Sequence, residues 1–300
     1  MNTIGQPLIS IISINYNQPE LTYLFLDSVN RLTYKNIEVL IIDNASSRAV
    51  TQHEASNHFK EVNVLFAPKN GGFGYGNNLG LKLAKGEFIF IVNNDTELKT
   101  DILEHLLLPF CDGKIGVVCP KIVFFDTPDI IQYAGFTKIN RITGRNRAIG
   151  YGQTDHRQFD IGGETFGAHG AAMLVRKEII EKTNGFYEPF FMYYEEIDWS
   201  YRIMTAGFLI YYQPSALVLH KESMSVGKNS ALKIFFLARN RLLFMKRNSS
   251  TSNYMAFVSY NILFAIPIHS IKYLLKLQFK QFYAFIYGNI KGLSIPSHLQ

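Results

Sequence analysis

The chain has 300 residues, 47% of them hydrophobic, which suffices for one large domain with an appendage or for two modest domains. Its two cysteines, Cys111 and Cys119, have no metal-binding spacing, which argues against a cysteine metal site and for a reduced compartment. The net charge is +6, but residues 221–300 hold eleven Lys and Arg against one acid, so this segment carries +10 and residues 1–220 carry −4. Such a basic segment predicts an anionic partner.

Apolar runs alternate with helical patterns in the first third of the chain. The strands that these runs predict end at residues 14, 42, 66 and 92, so successive ends are 28, 24 and 26 residues apart. This rhythm is typical of βαβ units and predicts an α/β fold with a mostly parallel central sheet flanked by helices. The first run, Leu8–Ile14, is short and lacks the basic flank of a signal peptide, so we expect a cytoplasmic protein.

Polar residues follow each of these four predicted strands. They are Asn15, Tyr16 and Asn17, then Asp43, then Asn70, Gly71, Gly72 and Asn77, and then Asn94 and Asp95. Because the carboxyl ends of parallel strands share one edge of a sheet, we expect these residues to gather in one cleft. Four polar clusters at four successive strand ends predict a nucleotide-type binding site.

Asp95 follows the apolar run Phe88–Val92, which predicts a strand buried on both faces. A rigid strand would deliver this carboxylate to the ligand site, where a hard oxygen donor suits Mg²⁺ or Mn²⁺ bound to phosphates. The alternative is that Asp95 only caps a following helix, assisted by Thr96.

Asp43 and the glycine-rich stretch each allow two interpretations. Asp43 suits hydrogen bonds from a base or a ribose, yet Asp-Asn is also a common turn before a helix. The glycines between residues 71 and 76 allow backbone to approach a ligand, but G-x-G-x-x-G and G-x-x-x-x-G-K-[ST] are both absent. A plain flexible turn before a short helix around Leu79–Ala84 is the alternative.

A second chemical centre is predicted at residues 190–202, where three acids open a helix behind an aromatic run. Acids in a first turn favour the helix dipole, and Asp198 forms an i,i+4 pair with Arg202. That leaves Glu195 and Glu196 unexplained. Crowded carboxylates beside an aromatic wall have raised pKa values and make usable general bases.

His220 ends the last strand pattern of the body, which predicts two strands, Leu209–Tyr212 and Ala216–His220. A lone histidine after an apolar run is usually structural, but this one could reach the edge of Asp95 as a metal ligand. Residues 126–166 have weak periodicity and predict a β-ribbon or a mobile loop.

Residues 229–300 form a predicted basic helical tail. Its apolar run Met255–Ile268 has fourteen residues, fewer than the ~20 that a spanning helix needs. We therefore expect amphipathic helices at an anionic membrane surface, with Lys272, Lys276 and Lys280 toward the headgroups. A basic helical pair packed on the body is the alternative, and the high aliphatic content disfavours nucleic acid as the partner.

With these motifs in view, the chain resembles glycosyltransferase family 2, the inverting nucleotide-sugar enzymes with a GT-A fold, and among them the bacterial rhamnosyltransferase-like enzymes of polysaccharide assembly. The resemblance covers roughly residues 7–247. The motifs that carry it are Ser13–Asn17, Ile42–Ser46, Asn70–Gly74 with Asn77 and Asn78, Asn93–Asp95, Tyr194–Trp199 and His220.

The resemblance implies a GT-A domain over residues 1–228, a dTDP- or UDP-sugar donor and a glycan or lipid-linked acceptor. It implies that Asn15–Asn17 and Asp43 contact the nucleoside, that Asp95 and His220 bind the metal, and that Glu196, beside Glu195, is the catalytic base. We also expect four residues on the acceptor side: His169, Gly170, Asp198 and Trp199. Asn93 and Glu196 stand where the family usually has Asp, which removes a charge and lengthens the base by one methylene.

Two other functions fit part of the pattern. Asp95 and Glu196 are a possible carboxylate pair for an inverting glycoside hydrolase. A non-catalytic, membrane-associated scaffold would keep the fold alone.

Overall fold

The computed structural model describes residues 6–221 and 230–295. The strands are β1 (Ile9–Asn15), β2 (Ile37–Asp43), β3 (Val62–Phe66), β4 (Phe88–Val92), β5 (Thr96–Leu98), β6 (Ile115–Phe124), β7 (Ile131–Tyr133), β8 (Gly163–Thr165), β9 (Ala172–Arg176) and β10 (Leu209–His220). The helices are α1 (Pro19–Asn30), α2 (Gln52–His58), α3 (Gly72–Leu83), α4 (Ile102–Leu107), α5 (Lys177–Thr183), α6 (Glu195–Thr205), α7 (Ala231–Asn248), α8 (Thr251–Tyr260), α9 (Ile266–Leu275) and α10 (Phe279–Leu293).

One ten-stranded sheet organises the body, with strand order β3-β2-β1-β4-β9-β6-β10-β5 and with β7 and β8 paired at its side. Strands β1 to β4 pair in parallel, as the βαβ rhythm predicts. Strand β9 runs antiparallel to both β4 and β6, and β10 runs parallel to β6. The carboxyl ends of β4, β6 and β10 therefore lie at one edge, together with the start of β9.

Strands β1 and β4 are buried on both faces, whereas the edge strand β3 is buried at one position of five. Strand β1 is buried at six of its seven positions and β4 at four of five, as expected for strands covered by helices on both sides. Helix α1 places Phe25, Leu26 and Val29 on the sheet, at the spacing of an amphipathic helix, and Pro19 at its start supplies a fixed φ.

The glycine-rich stretch is helical, which corrects the prediction of a turn before a short helix. Helix α3 begins at Gly72, and its glycines let it lie close to β1. A Cβ added at Gly76 would come within 2.9 Å of Ile14, and one at Gly80 within 2.6 Å of Ile12. Close helix–strand packing is therefore the physical reason for these two glycines.

Two other predictions also change. The two strands predicted on either side of Pro214 are one strand, β10, whose pairing with β6 shifts register between Gln213 and Leu217, so the proline sits at an irregularity that tolerates its missing N–H. The 126–166 segment contains β7, β8 and isolated bridges that fold back beside the sheet.

The basic tail divides into two parts. Helix α7 shares a hydrophobic core with the body, where Leu242–Met245 pack with Phe190, Tyr194 and Ile197. Helices α8 and α9 are joined through a π-helical turn, Asn261–Ala265, into a continuous helix over Thr251–Leu275. This helix is therefore 25 residues long and extends beyond the apolar run Met255–Ile268 at both ends.

Candidate active site

Asn15 and Asp43 meet at the carboxyl edge because β1 and β2 pair in register there. The Asn15 amide donates to Asp43 Oδ2 over 2.7 Å, and Asp43 also accepts the backbone N–H groups of Ser46 at 2.9 Å and Val50 at 3.1 Å. Asp43 thereby orders the loop that follows β2. Asn15 and Asp43 are both buried behind this rim, at 0% and 1% exposure, and Asn15 positions Asp43; the direct contact of Asn15 with a nucleotide stays a prediction.

Tyr16 and Asn17 lie beside this loop and remain accessible. The Tyr16 side chain is 43% exposed, which leaves its ring free for stacking. Asn17 has a left-handed φ of 57° and joins the loop through its Oδ1, which accepts from Ser47 Oγ at 3.0 Å. The contact of both residues with a nucleotide stays a prediction.

The start of α3 is tied to the end of β2 by Asn44, which the sequence analysis did not select as a site residue. Its amide donates to Asn70 Oδ1 and to the Gly72 carbonyl, both over 3.1 Å, and its Oδ1 accepts the Gly71 N–H at 3.3 Å. Three of the four polar clusters are thus joined by hydrogen bonds. Asn77 is buried inside α3, where its amide donates to Phe73 O at 3.1 Å, and its contact with a nucleotide stays a prediction.

Asn94 connects the fourth cluster to the others. Its amide donates to Thr22 Oγ1 over 2.9 Å, and Thr22 in turn donates to Asn15 Oδ1 over 3.2 Å. Asn94 is 9% exposed, so its main role in this geometry is to hold the end of β4 against α1. All four polar clusters therefore converge on one edge of the sheet, as predicted.

Asp95 and His220 face each other at this edge. Thr96 pairs with His220 between β5 and β10, and Asp95 Oδ1 lies 3.1 Å from His220 Nε2. The other ring nitrogen, Nδ1, lies 2.8 Å from Gln132 Oε1, which can accept a hydrogen bond from it. With its proton on Nδ1, the imidazole would offer the Nε2 lone pair to a cation beside the Asp95 carboxylate.

This pair fits a divalent cation. Asp95 Oδ1 is buried opposite His220 Nε2, so a cation bound between the two groups would neutralise this carboxylate. A carboxylate oxygen and an imidazole held by an amide oxygen are suitable ligands for Mn²⁺ or Mg²⁺. Within residues 6–221 and 230–295, no cluster of three or more Asp, Glu, His or Cys forms, so phosphate oxygens and water would complete the coordination.

Loop 167–171 links the Asp95–His220 pair to Glu196. Because β9 is antiparallel to β4, its start lies beside the end of β4, and Asn93 N–H donates to Ala171 O at 3.0 Å. The rings of His169 and His220 have centroids 6.2 Å apart. The next residue, Gly170, faces Glu196: an added Cβ would lie 3.8 Å from Glu196 Cγ. Two consecutive residues therefore border both chemical centres.

Glu195 and Glu196 differ in burial. Glu195 is 4% exposed with Oε2 unpaired, and burial followed by the charge of Glu196 raises its pKa well above the ordinary value. Glu196 is half-buried, and burial raises its pKa to about 7. A carboxyl with a pKa near neutrality is suited to accept a proton. Burial, with a smaller contribution from His220, lowers the pKa of His169 to about 3, so the facing imidazole is neutral.

Asp198 and Trp199 are both buried in the interior beside α6, and their contact with an acceptor stays a prediction. Asp198 is fully buried and binds Arg202 Nε at 2.9 Å, as the i,i+4 spacing predicted, as well as Asn248 at 2.8 Å. Trp199 is buried against Phe186, and its indole N–H donates to Thr183 Oγ1 at 2.7 Å. Both side chains stabilise α6 and do not line the cleft.

A cavity of about 490 Å³ opens beside the glycine loop at this edge. Asn70 and Gly71 form one wall, Phe191 lies between the acid helix and the cavity, and Phe236 and Arg239 close it from α7. Helix α7 therefore contributes to the functional edge, although the sequence assigned it to the tail.

These features define a GT-A glycosyltransferase, and comparison with solved structures supports that fold. A mannosyltransferase from Pyrobaculum calidifontis, solved with GDP-Man and Mn²⁺, superposes with a TM-score of 0.61 at 14% identity, covering 97% of this chain and 88% of that one. The family model of glycosyl transferase family 2 matches residues 10–183. The chain belongs to this family, and the match favours glycosyl transfer over the glycoside hydrolysis that the sequence left open.

Two curated relatives come from Mycobacterium tuberculosis. The pre-mycofactocin glycosyltransferase is 24% identical over 67% of this chain, which spans only 41% of that relative's length. The N-acetylglucosaminyl-diphospho-decaprenol L-rhamnosyltransferase is 23% identical over 75% of this chain and 79% of its own length.

Proposed function

We propose that this glycosyltransferase moves a hexose, rhamnose among the candidates, from a dTDP- or UDP-linked donor to a hydroxyl of a glycan or lipid-linked glycan, with inversion, in bacterial surface polysaccharide assembly. The observation that carries the proposal is the shared loop 167–171, which borders both the Asp95–His220 pair and Glu196. The relative named for a diphospho-decaprenol-linked substrate supports a lipid-linked acceptor.

The chemistry is a single displacement. Glu196 accepts the proton of the acceptor hydroxyl, whose oxygen forms a bond to the anomeric carbon of the donor. The bond from that carbon to the diphosphate breaks, and the diphosphate leaves with the electron pair. Mg²⁺ or Mn²⁺ held by Asp95 and His220 would act as a Lewis acid toward the diphosphate. The Mn²⁺ in the mannosyltransferase structure supports a divalent cation without deciding which.

The nucleotide would lie along the rim built by β1, β2 and the start of α3. Tyr16 offers an exposed ring, Asp43 Oδ1 accepts only the Ser46 N–H, and Asn70 and Gly71 line the adjoining cavity. A carboxylate oxygen accepts two hydrogen bonds, so Asp43 retains capacity for a donor from a base or ribose.

A donor screen tests this proposal. We expect dTDP or UDP to raise the melting temperature in the presence of Mn²⁺ or Mg²⁺ and to do so less in EDTA. With the best donor, NMR of the product should show the anomeric configuration opposite to that of the donor. Retention of configuration, or stabilisation by no nucleoside diphosphate, would contradict the proposal.

We further propose that the protein acts at the inner face of the cell membrane. Within the described residues, only the helix Thr251–Leu275 is long and apolar enough to cross a membrane by length and composition, and it is 17% buried. Its exposed apolar residues are Met255, Ile262, Leu263, Phe264, Ile268, Ile271, Leu274 and Leu275.

Contacts along this helix favour an interfacial position. Phe257 packs beside Gly144 of the body, Asn261 binds Asn289 of α10 at 2.8 Å, and His269 Nε2 lies 3.2 Å from Arg145 Nη2. Residues 257–269, about 18 Å of helix, are thus held against the protein. The remaining length falls short of the ~30 Å hydrocarbon core, so the helix would lie along the membrane surface.

Vesicle flotation measures the contribution of the lysines. Reversing Lys272, Lys276 and Lys280 to Glu should weaken binding to vesicles containing 30% phosphatidylglycerol by at least about 100-fold, since each basic residue contributes about 1 kcal/mol. The control reverses Lys60, Lys85 and Lys99, which are exposed on the body. Equal binding of both variants would contradict the proposed orientation.

A further inference from the structure

The turn that leads into the acid helix has an unusual backbone. Phe191, Tyr193 and Tyr194 have φ angles of 66°, 64° and 76°. Bulky side chains rarely adopt this left-handed conformation, and three such residues within four positions persist only where surrounding contacts hold them. Glu195 and Glu196 follow immediately, so this turn, residues 190–194, sets where the acid helix begins and where its first side chains point.

Asn240 of α7 holds the turn from one side. Its amide nitrogen lies 2.9 Å from Phe190 O, 2.7 Å from Met192 O and 2.7 Å from Tyr193 O. The two hydrogens of this amide are thus shared among three carbonyl oxygens, and the Asn240 side chain is fully buried. The Asn240 Oδ1 accepts from Arg239 Nε at 2.9 Å, which fixes the orientation of the amide.

The glycine loop holds the same turn from the other side. Phe191 O accepts the Phe73 N–H over 2.7 Å. Gly72 has a φ of +83°, and a Cβ there would lie 2.0 Å from Phe191 O, so no other residue fits without displacing the turn. The turn is therefore clamped between the donor-side rim and α7, and Asn240 supplies the only side-chain amide that reaches three of its carbonyls among the described residues.

We propose that Asn240 is a positioning residue for Glu196, acting through the left-handed turn and without touching substrate. This inference rests on the proposed role of Glu196 as the base. Without the Asn240 amide, the Met192 and Tyr193 carbonyls lose the side-chain donor that binds them, while Phe190 O keeps the Met192 N–H and Arg239 Nη2, and the turn relaxes toward ordinary backbone angles. The start of α6 then shifts, and a displacement of about 1 Å at a reacting group costs on the order of 100-fold in rate.

A double-mutant cycle separates positioning from general stability. Asn240→Ala should lower kcat about 10- to 100-fold in the wild-type background but less than about threefold in Glu196→Gln, because the second substitution already removes the group being positioned. Affinity for the nucleoside diphosphate, measured by calorimetry with Mn²⁺, should change less than about threefold in both backgrounds.

Asn289→Ala is the matched control. Asn289 is also a buried helical asparagine, its amide donates to Phe285 O at 2.9 Å, and it lies in α10, away from the turn. Its kcat should stay within about twofold of wild type. The emission of Trp199, the single tryptophan of the chain and a residue of α6, reports whether each variant keeps this helix packed.

Should Asn240→Ala fail to fold, Asn240→Ser keeps one hydroxyl donor, and the same cycle is measured with it. An equal loss of kcat in both backgrounds, or a loss no larger than that of Asn289→Ala, would overturn the role of Asn240 while leaving the proposed function intact. Unchanged turnover in Glu196→Gln would instead remove the base, and the inference about Asn240 would fall with it.

Discussion

Replacing Glu196 with Gln should lower kcat for glycosyl transfer by ~10²–10⁴-fold, the usual contribution of a well-placed general base. The amide keeps the shape of the side chain but accepts no proton. Donor binding should be unaffected, since the nucleotide rim is built from β1, β2 and α3. Single-turnover transfer assays, with nucleotide affinity measured in parallel by calorimetry, check both expectations.

The pH dependence gives an independent readout of the same residue. Because burial raises the pKa of Glu196 to about 7, the base is protonated below that pH, and kcat of the wild type should fall tenfold per unit toward acid. The neighbouring His169 stays neutral near pH 7, because burial lowers its pKa to about 3, and burial with the charge of Glu196 raises the pKa of Glu195. The acid limb should disappear in Glu196→Gln.

Glu178 provides the control, since it is an exposed acid of α5 paired with Lys182 at 3.5 Å. Glu178→Gln should retain wild-type turnover and the acid limb. A Glu196→Gln enzyme with wild-type turnover would show that another group accepts the proton, with Glu195 the nearest candidate.

Replacing Asp95 with Asn should abolish most of the metal-dependent affinity for the nucleoside diphosphate. The substitution preserves the side-chain shape and removes the charge that faces His220 Nε2. The loss should be at least the 10- to 100-fold that removing an outer-shell partner of a metal ligand costs. Mn²⁺ binding followed by electron paramagnetic resonance, with and without UDP or dTDP, measures it directly.

Glu97→Gln is the matched control for Asp95. Glu97 lies two residues further on in β5, is exposed and pairs with Arg31 at 3.5 Å. Removal of the Glu97 charge should leave the affinity for Mn²⁺ unchanged. If Asp95→Asn binds Mn²⁺ and nucleotide as the wild type does, the Asp95–His220 pair is an ordinary buried contact and the cation is held elsewhere.

The edge of the sheet that carries the candidate site could be predicted from the apolar runs and from the rule that the carboxyl ends of parallel strands lie together. The apolar runs before Asn15, Asp43 and Asp95 are strands in register, so their polar ends meet. The same reasoning placed His220 at that edge, because it ends a strand parallel to β6. These predictions depend on the spacing of apolar residues and on the direction of the strands, and both can be inferred from short segments of sequence.

Sequence patterns are less informative where a residue's role depends on distant partners. Asn15 and Asn77 were assigned to the nucleotide by their position in motifs, and in the structure both are buried, Asn15 bound to Asp43 and Asn77 to the Phe73 carbonyl. Gln132 and Asn240 were missed because their partners lie 88 and about 50 residues away along the chain. A lone amide within the apolar face of α7 was the available signal for Asn240.

Helix α7 also determines where the chain can be truncated. A fragment ending at residue 228 would retain every proposed ligand and acid, yet it would expose Phe190, Tyr194 and Ile197, which are buried together with Leu242–Met245. It would also leave the carbonyls of Phe190, Met192 and Tyr193 without their amide donor. An autonomous catalyst therefore has to extend at least through Asn248, and a cut there would still uncover the core around Phe257 and the face of α7 that packs on Gly288 and Gly292 of α10.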